Sequence, residues 1–269
     1  MPIPHDIIAK LDETFRAISS LGVSLTEAEW KLPTDLPGWT VQDNLSHLIG
    51  TERSLQGLPR TEHQPPEADH VKNPMGQFNE IDVDARRGRS GAEVLAEWNE
   101  LADLRLRTLR EADESYFDAP VQTPTGPGTI ADFLHIRVLD CWSHEQDMRH
   151  AVRRPGNLDN ASAAHTLDRL ARTLPIVIGK RAGTPEGSAV TIDITGPVER
   201  SLTYEVHEGR AGSVERPSAP PLATVHLDSE AFTMLALGRR CADDLVDRIR
   251  IDGDAALGRR VVDQLNMMI

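Results

Sequence analysis

Cysteine and aromatic residues are scarce in this sequence, and long apolar runs are missing. The chain has 269 residues, of which two are cysteines and 4% are aromatic. Cys141 and Cys241 offer no disulfide framework and fit a reducing compartment. No stretch approaches the roughly 18–20 apolar residues of a membrane span, and the N-terminus lacks the basic and then apolar pattern of a signal peptide. We therefore expect a cytoplasmic protein that does not bind membranes.

Basic residues are also fewer than acidic ones. The sequence holds 29 basic and 42 acidic residues, for a formal net charge of −13. This balance argues against a broad basic surface, so we expect no nucleic-acid partner. Very few of the basic residues are lysines, and this bias toward arginine is typical of GC-rich genomes such as those of actinobacteria.

The first part of the chain, through residue 155, has the apolar spacing of helices. Thr40 with Asp43 and Ser90 with Glu93 are capping-box patterns that predict two of the helix starts. The predicted helices span residues 7–21, 41–57, 90–112, 130–152 and 161–178. Between them we expect a long polar connection over 60–90 and a rigid turn, rich in proline and glycine, over 120–129. The first four helices predict an antiparallel bundle with one long crossover.

The composition changes near residue 179, where β-branched residues begin to alternate with polar ones. This pattern predicts strands over 189–195, 202–207, 223–227 and 249–251, with one helix starting at Ser229 and a terminal helix capped by Asp254. We expect His207 and His226, which alternate with apolar residues, to lie on the surface. The predicted domains are a helical bundle over 1–180 and a small α+β domain over 181–269.

Asp140 and His144 are the residues that point most directly to chemistry. They are four positions apart within the fourth helix, so their Cβ atoms lie about 5–6 Å from each other on one face. A carboxylate and an imidazole so placed suit a divalent cation such as zinc. Arg137 and Asp147 fall on the same face, and either orients the metal ligands or forms a structural salt bridge between helices. Glu145 points about 100° away and is a weaker ligand candidate.

His47, in the second predicted helix, is the candidate for a third ligand. It lies near the edge of an apolar stripe formed by Val41, Leu45, Leu48 and Ile49. Isolated histidines rarely bind metal, so the competing interpretation is a half-buried histidine hydrogen-bonded to a neighbouring helix.

Two motifs carry a resemblance to a known family. The run G-W-T-V-x-D-x-x-x-H-L begins at Gly38, and D-C-W-x-H-E-Q-D-x-R begins at Asp140. Together with the C-terminal half of the chain, they resemble the mycothiol-dependent maleylpyruvate isomerase family. The resemblance implies an α+β fold, with an N-terminal DinB-like four-helix bundle followed by a small sterol-carrier-like domain. It also implies a divalent metal, usually zinc, held here by His47, Asp140 and His144. Asp140 stands where the family has glutamate, which is one methylene longer.

The same resemblance implies a function. The metal would bind and activate the thiol of mycothiol, which would add to a small electrophile and lead to isomerisation or to S-transfer. We expect Arg137 and Asp147 to support the site that binds the cofactor. A C-terminal arginine, Arg239 or Arg240, is expected to bind an anionic substrate. Two alternatives stay open at this point: a metal-dependent hydrolase that uses a metal-bound water, and a non-catalytic small-molecule-binding protein.

Overall fold

The computed structural model describes residues 2–266, which form two compact units that divide between Asn157 and Leu158. The sequence placed this division at residue 180 instead. The difference concerns the helix Ala161–Ala171, which forms an ion pair and a hydrogen bond with other residues of the second unit. Asp168 pairs with Arg200, and the Ala171 carbonyl accepts a hydrogen bond from the Tyr204 hydroxyl. Helix and sheet are thus combined as an α+β fold, as predicted.

The first unit is mainly helical. Its elements are α1 (His5–Val23), α2 (Glu27–Trp30), α3 (Val41–Leu55), α4 (Pro74–Arg87), α5 (Gly91–Glu111), α6 (Glu114–Asp118), β1 (Pro120–Thr123), β2 (Gly126–Thr129) and α7 (Ile130–Val152). Helices α1, α3, α5 and α7 pack on one another as a four-helix bundle. Both predicted capping boxes are present, at the starts of α3 and α5.

A shared apolar core holds the four long helices together. Phe15 of α1 meets Trp98 of α5 edge to face, with ring centroids 4.8 Å apart. Leu45 of α3 and Val138 of α7 are fully buried in the same core. Burying a side chain of this size contributes about 1.5–3 kcal/mol. The apolar stripes read from the sequence therefore face this core.

Two segments differ from their predicted structure. The connection over 60–90 contains helix α4, in which Asn73 is the N-cap and Pro74 occupies the first turn. Its buried face is largely charged, with Glu80, Asp82 and Arg86 all buried, so the expected apolar period is missing. The segment 120–129, predicted as a rigid turn, is a two-stranded hairpin.

The second unit is built on a five-stranded sheet. Its elements are α8 (Ala161–Ala171), a π-helical turn (Ile176–Arg181), β3 (Ala189–Thr195), β4 (Arg200–His207), β5 (Arg210–Ser213), β6 (Ala223–Asp228), α9 (Ser229–Ala236), a 3-10 helix (Ala242–Arg248), β7 (Ile249–Gly253) and α10 (Ala255–Asp263). The strand order is β5-β4-β3-β6-β7, with only β3 and β6 parallel. The four predicted strands are present, and the short, mostly exposed β5 was not predicted. Among the described residues, no helix combines the length and apolar character that crossing a membrane would need.

Candidate metal centre

The bundle brings His47, Asp140 and His144 together. His47 comes from α3, and the other two come from α7. One ligand atom from each of the three residues can be chosen so that all lie within 4.8 Å of one another. The Asp140 carboxylate lies between the rings, 3.3 Å from His47 Nε2 and 3.5 Å from His144 Nε2. Within residues 2–266 this is the one group of three such side chains that converges closely enough to hold a metal ion.

The shorter side chain of Asp140 does not take it out of reach of the two histidines. Both of its carboxylate oxygens face an imidazole nitrogen, one on each side. Its side chain is 26% exposed, whereas those of His47 and His144 are 9% and 8% exposed. The cluster therefore opens toward solvent on the side of its carboxylate.

Asn44 fixes the orientation of the His144 ring. Its Oδ1 lies 2.7 Å from His144 Nδ1, while its Nδ2 donates to the Thr40 carbonyl at 2.9 Å and to Thr34 Oγ1 at 3.2 Å. Because the amide nitrogen is committed to two acceptors, the amide oxygen faces His144 and accepts a hydrogen bond from Nδ1–H. In the neutral ring this leaves the lone pair on Nε2, the nitrogen that faces Asp140. Asp147 reinforces the arrangement at 3.3 Å from Nδ1.

The His47 ring is packed by an indole instead. Trp39 lies 5.4 Å from the His47 ring and 5.9 Å from the His144 ring, centroid to centroid, tilted by 38° and 35°. Its Nε1 donates to Oε2 of the buried Glu80 at 3.1 Å, and the same oxygen lies 3.2 Å from His70 Nε2. His47 Nδ1 is buried and has no hydrogen-bond partner among the described residues. Trp39 thus forms a wall against both imidazoles.

Arg137 connects the cluster to a buried ion-pair network. Its guanidinium donates to Asp140, and its Nε donates to Glu52 Oε1 at 2.8 Å. Glu52 also lies 3.2 Å from the Nε of Arg105. Arg137 therefore contacts the Asp140 carboxylate and also links α7 to α3 through Glu52.

Electrostatics keep Asp140 ionised. Burial raises the pKa of its carboxyl group, but the positive charge of Arg137, together with the contacts to His47 and His144, outweighs burial and holds that pKa well below the ordinary value. Burial lowers the pKa of His47 and outweighs the nearby carboxylate. Burial acts in the same direction on His144, but hydrogen bonds and charge from Asp140 and Asp147 prevail, and its pKa is raised. An ionised carboxylate beside a low-pKa imidazole suits a cation.

Other sequence candidates lie elsewhere. Glu145 is buried away from the cluster, where it pairs with Arg149 at 2.7 Å. Arg239 and Arg240 belong to the second unit and line a cavity of about 280 Å³ there, together with Cys241. Asn44, Trp39 and Glu52 were not singled out from the sequence. The first two lie within the motif around His47, but only the fold shows which ring each of them touches.

Family models match both halves of the chain. The N-terminal domain of mycothiol maleylpyruvate isomerase matches residues 11–149, and the C-terminal domain of the same family matches residues 164–260. The chain belongs to the mycothiol maleylpyruvate isomerase family. It is accordingly an enzyme of an isomerase family, and the predicted resemblance is confirmed.

Two relatives of this family member share little sequence identity with it. Two uncharacterized proteins of Mycobacterium tuberculosis, from strains CDC 1551 / Oshkosh and ATCC 25618 / H37Rv, are each 24% identical to it over 205 residues. The match covers 73% of this chain and 76% of each relative.

The crystal structure of the mycothiol-dependent maleylpyruvate isomerase is similar over 94% of this chain and 93% of that one. Its TM-score is 0.56 at 16% identity, and a histidine-to-alanine variant of it scores 0.55. At this identity the likeness establishes the shared fold.

Proposed function

We propose that the chain is a metal-dependent and mycothiol-dependent enzyme that adds an activated thiol to a small electrophile. The product is either an isomer, as with a maleylpyruvate-type substrate, or a stable S-adduct. The observation that carries the proposal is the convergence of His47, Asp140 and His144 on one partly exposed point. Family membership supplies the thiol and the reaction class.

The side chains present fit a divalent cation, for which zinc is our first candidate. When the His144 ring is neutral, Asn44 leaves the lone pair on Nε2 directed at an ionised carboxylate, so two acceptor atoms face each other at 3.5 Å. Two acceptors at this distance gain from a cation placed between them. Two imidazoles and one carboxylate are a donor set that zinc accepts, with a coordination position left for another group.

A divalent cation bound by these donors would lower the pKa of an added thiol, so that the reactive thiolate forms near neutral pH.

The remaining residues hold these donors in place. Arg137 fixes the carboxylate of Asp140, and Asn44 with Asp147 fixes the ring of His144. Trp39 packs against both rings.

The chain's own neighbouring thiol does not fit the role of nucleophile. Cys141 is fully buried, and burial raises its pKa well above the ordinary value. Its Sγ accepts a hydrogen bond from Arg137 at 3.3 Å inside the bundle. An inert thiol beside the site favours a thiol supplied from solution, as in a mycothiol-dependent reaction.

The substrate's negative charge needs a cation, and we assign this role to Arg239 or Arg240. Both line the cavity of the second unit, where Cys241 and Asp244 lie beside them. Because an anionic electrophile of the maleylpyruvate type carries carboxylates, a guanidinium is a suitable partner. A cytoplasmic location, where mycothiol would be available, remains part of this proposal.

Metal content and thiol dependence test the proposal together. The full chain, purified without chelator or affinity tag, is expected to contain near-stoichiometric zinc or another divalent metal by mass spectrometry. With metal loaded, turnover of maleylpyruvate or a related electrophile should require mycothiol. Turnover without any thiol would instead indicate a hydrolase, and a chain that cannot be loaded with metal would contradict the proposal.

A further inference from the structure

A second cavity lies inside the first unit, farther along α3 and α7 from the metal donors. Its volume is about 140 Å³, and it lies between the end of α3, helix α5 and the start of α7. The apolar residues that line it are Leu55, Val121, Ile130, Phe133 and Leu134. Exposed Ser54 and half-buried Tyr116 also border it, so the cavity has access to solvent. Of all the residues that line this cavity, the proposed function uses only Arg137.

Two buried guanidiniums border this otherwise apolar cavity. Arg105 is 1% exposed and Arg137 is 2% exposed. Burying a cation costs free energy unless a partner compensates it, so two arginines against apolar walls call for anionic partners. The protein offers them one carboxylate in common, that of Glu52, at 3.2 Å from Arg105 Nε and 2.8 Å from Arg137 Nε.

The Arg105 guanidinium does not use all of its N–H groups in hydrogen bonds. Its Nη1 donates to the Tyr116 hydroxyl at 2.8 Å and to Gln56 Oε1 at 3.2 Å. Its Nε is buried and lies 3.2 Å from Glu52 Oε2, but it makes no hydrogen bond within residues 2–266. A planar guanidinium presents five N–H groups, and a carboxylate is the partner that best uses a free pair of them.

We propose that this cavity is a binding site for a small carboxylate with an apolar body, of the size of benzoate. The carboxylate would pair with Arg105 and the ring would lie against Leu134 and Phe133. The size is suitable, because an apolar cavity of about 150 Å³ holds benzene. The hydrogen-bonding capacity is suitable because Arg105 shares its one carboxylate partner, Glu52, with Arg137.

The site is coupled to the metal centre through Arg137, and this part of the inference rests on the proposed function. Arg137 borders the cavity and also pairs with Asp140. With no cation bound, Glu52 and Asp140 balance the two arginines. A divalent cation on Asp140 leaves an excess of positive charge next to the cavity, so it should strengthen carboxylate binding. By linkage, the carboxylate should strengthen metal binding by the same factor.

Calorimetric titration of the full chain with benzoate tests the site. In chelator-treated protein we expect one benzoate per chain, and benzamide, a neutral molecule of similar shape, should bind at least tenfold more weakly. Ser54→Trp, which fills the exposed border, and Arg105→Gln should each weaken benzoate binding at least tenfold. Ser54→Ala is the matched control and should bind as the unaltered chain does. Equal binding of benzamide, no saturable binding, or full binding by Ser54→Trp would overturn the proposal.

The His47→Ala variant separates this site from coordination to the metal. It lacks a proposed ligand but keeps the cavity, so chelator-treated His47→Ala should bind benzoate with the affinity of the unaltered chain. Loading the unaltered chain with zinc should tighten benzoate binding several-fold, and His47→Ala should not show this change. Benzoate binding that vanishes with chelator would be coordination to metal and would refute the cavity site without affecting the proposed reaction.

Discussion

Each unit contains a histidine that lies between carboxylates. The two arrangements differ in which ring nitrogen is left available to a metal ion. In the second unit, His226 lies 3.1 Å from Asp193 through Nδ1 and 3.0 Å from Asp252 through Nε2. Both of its ring nitrogens are therefore occupied on opposite sides. In the first unit, the partners Asn44 and Asp147 are both on Nδ1 of His144, and Nε2 faces the same carboxylate as His47.

Burial separates the two groups as well. The rings of the first unit come from helices that pack face to face, so they are less than a tenth exposed. His226 projects from the face of the sheet opposite the buried Val225 and Leu227, and the side chain of its partner Asp252 is 54% exposed. The same residue types thus form a candidate metal site in one unit and a surface ion pair in the other.

Removing a ring should give the largest effect in this comparison. His47→Ala and His144→Ala should each lower zinc affinity more than about 100-fold, since loss of a residue that only supports a ligand costs roughly 10–100-fold. Competition with a chromophoric chelator measures the affinity. His226→Ala should bind zinc as the unaltered chain does. Equal losses in all three variants would show that the comparison is wrong.

The buried charges of the first unit should dominate its stability. Glu52→Gln leaves Arg105 and Arg137 without their shared partner, and loss of one member of a buried pair costs about 3–5 kcal/mol of unfolding free energy. Urea denaturation followed by circular dichroism checks this. Asp168→Asn, which breaks a half-exposed pair with Arg200 in the second unit, should cost at most about 1 kcal/mol. Similar losses in both variants would contradict the distinction.

Asn44 is expected to act on the metal through His144. Asn44→Ala removes the acceptor that holds the ring, and zinc affinity should fall roughly 10–100-fold. Asn99→Ala is a control in the same unit, because Asn99 bonds to Ser19 and touches no proposed ligand. An unchanged zinc affinity in Asn44→Ala would show that the ring is held by packing alone.

Trp39 should have a smaller effect. Trp39→Phe keeps an aromatic wall but loses the hydrogen bond to Glu80, so zinc affinity should fall by no more than about tenfold. Zinc affinity should fall less in Glu80→Gln, because glutamine retains an acceptor for the Trp39 N–H. Trp142→Phe is the matched control, because its indole bonds to the Asn157 carbonyl instead. A loss in Trp142→Phe equal to that in Trp39→Phe would point to general loosening of the bundle.

The smallest change is expected at His226. His226→Ala removes a surface histidine from two partly exposed carboxylates, and its melting temperature should fall by a few degrees at most. Differential scanning calorimetry measures this. A much larger fall would mean that the Asp193–His226–Asp252 group stabilises the sheet as a core element does.

The parts of the fold that were predicted correctly depend on local signals. Helix α7 spans the predicted residues, because Thr129 caps its start and Pro155 with Gly156 follows its end. The long connection over 60–90 and the turn over 120–129 were the departures. In α4 the buried side carries ion-paired Glu80 and Arg86, so its burial depends on partners far away in the chain, such as Trp39.

The sequence by itself determined which residues can ligate a metal and to which family the chain belongs. The four-residue spacing of Asp140 and His144 follows from helix geometry, and a motif surrounds His47. Only the tertiary structure decided that Asn44 selects the ring nitrogen of His144, that Trp39 packs on both imidazoles, and that Glu52 joins two buried arginines. These contacts join residues on different elements. Local periodicity carries no record of such contacts, because it reports a helix's own faces and not what packs against them.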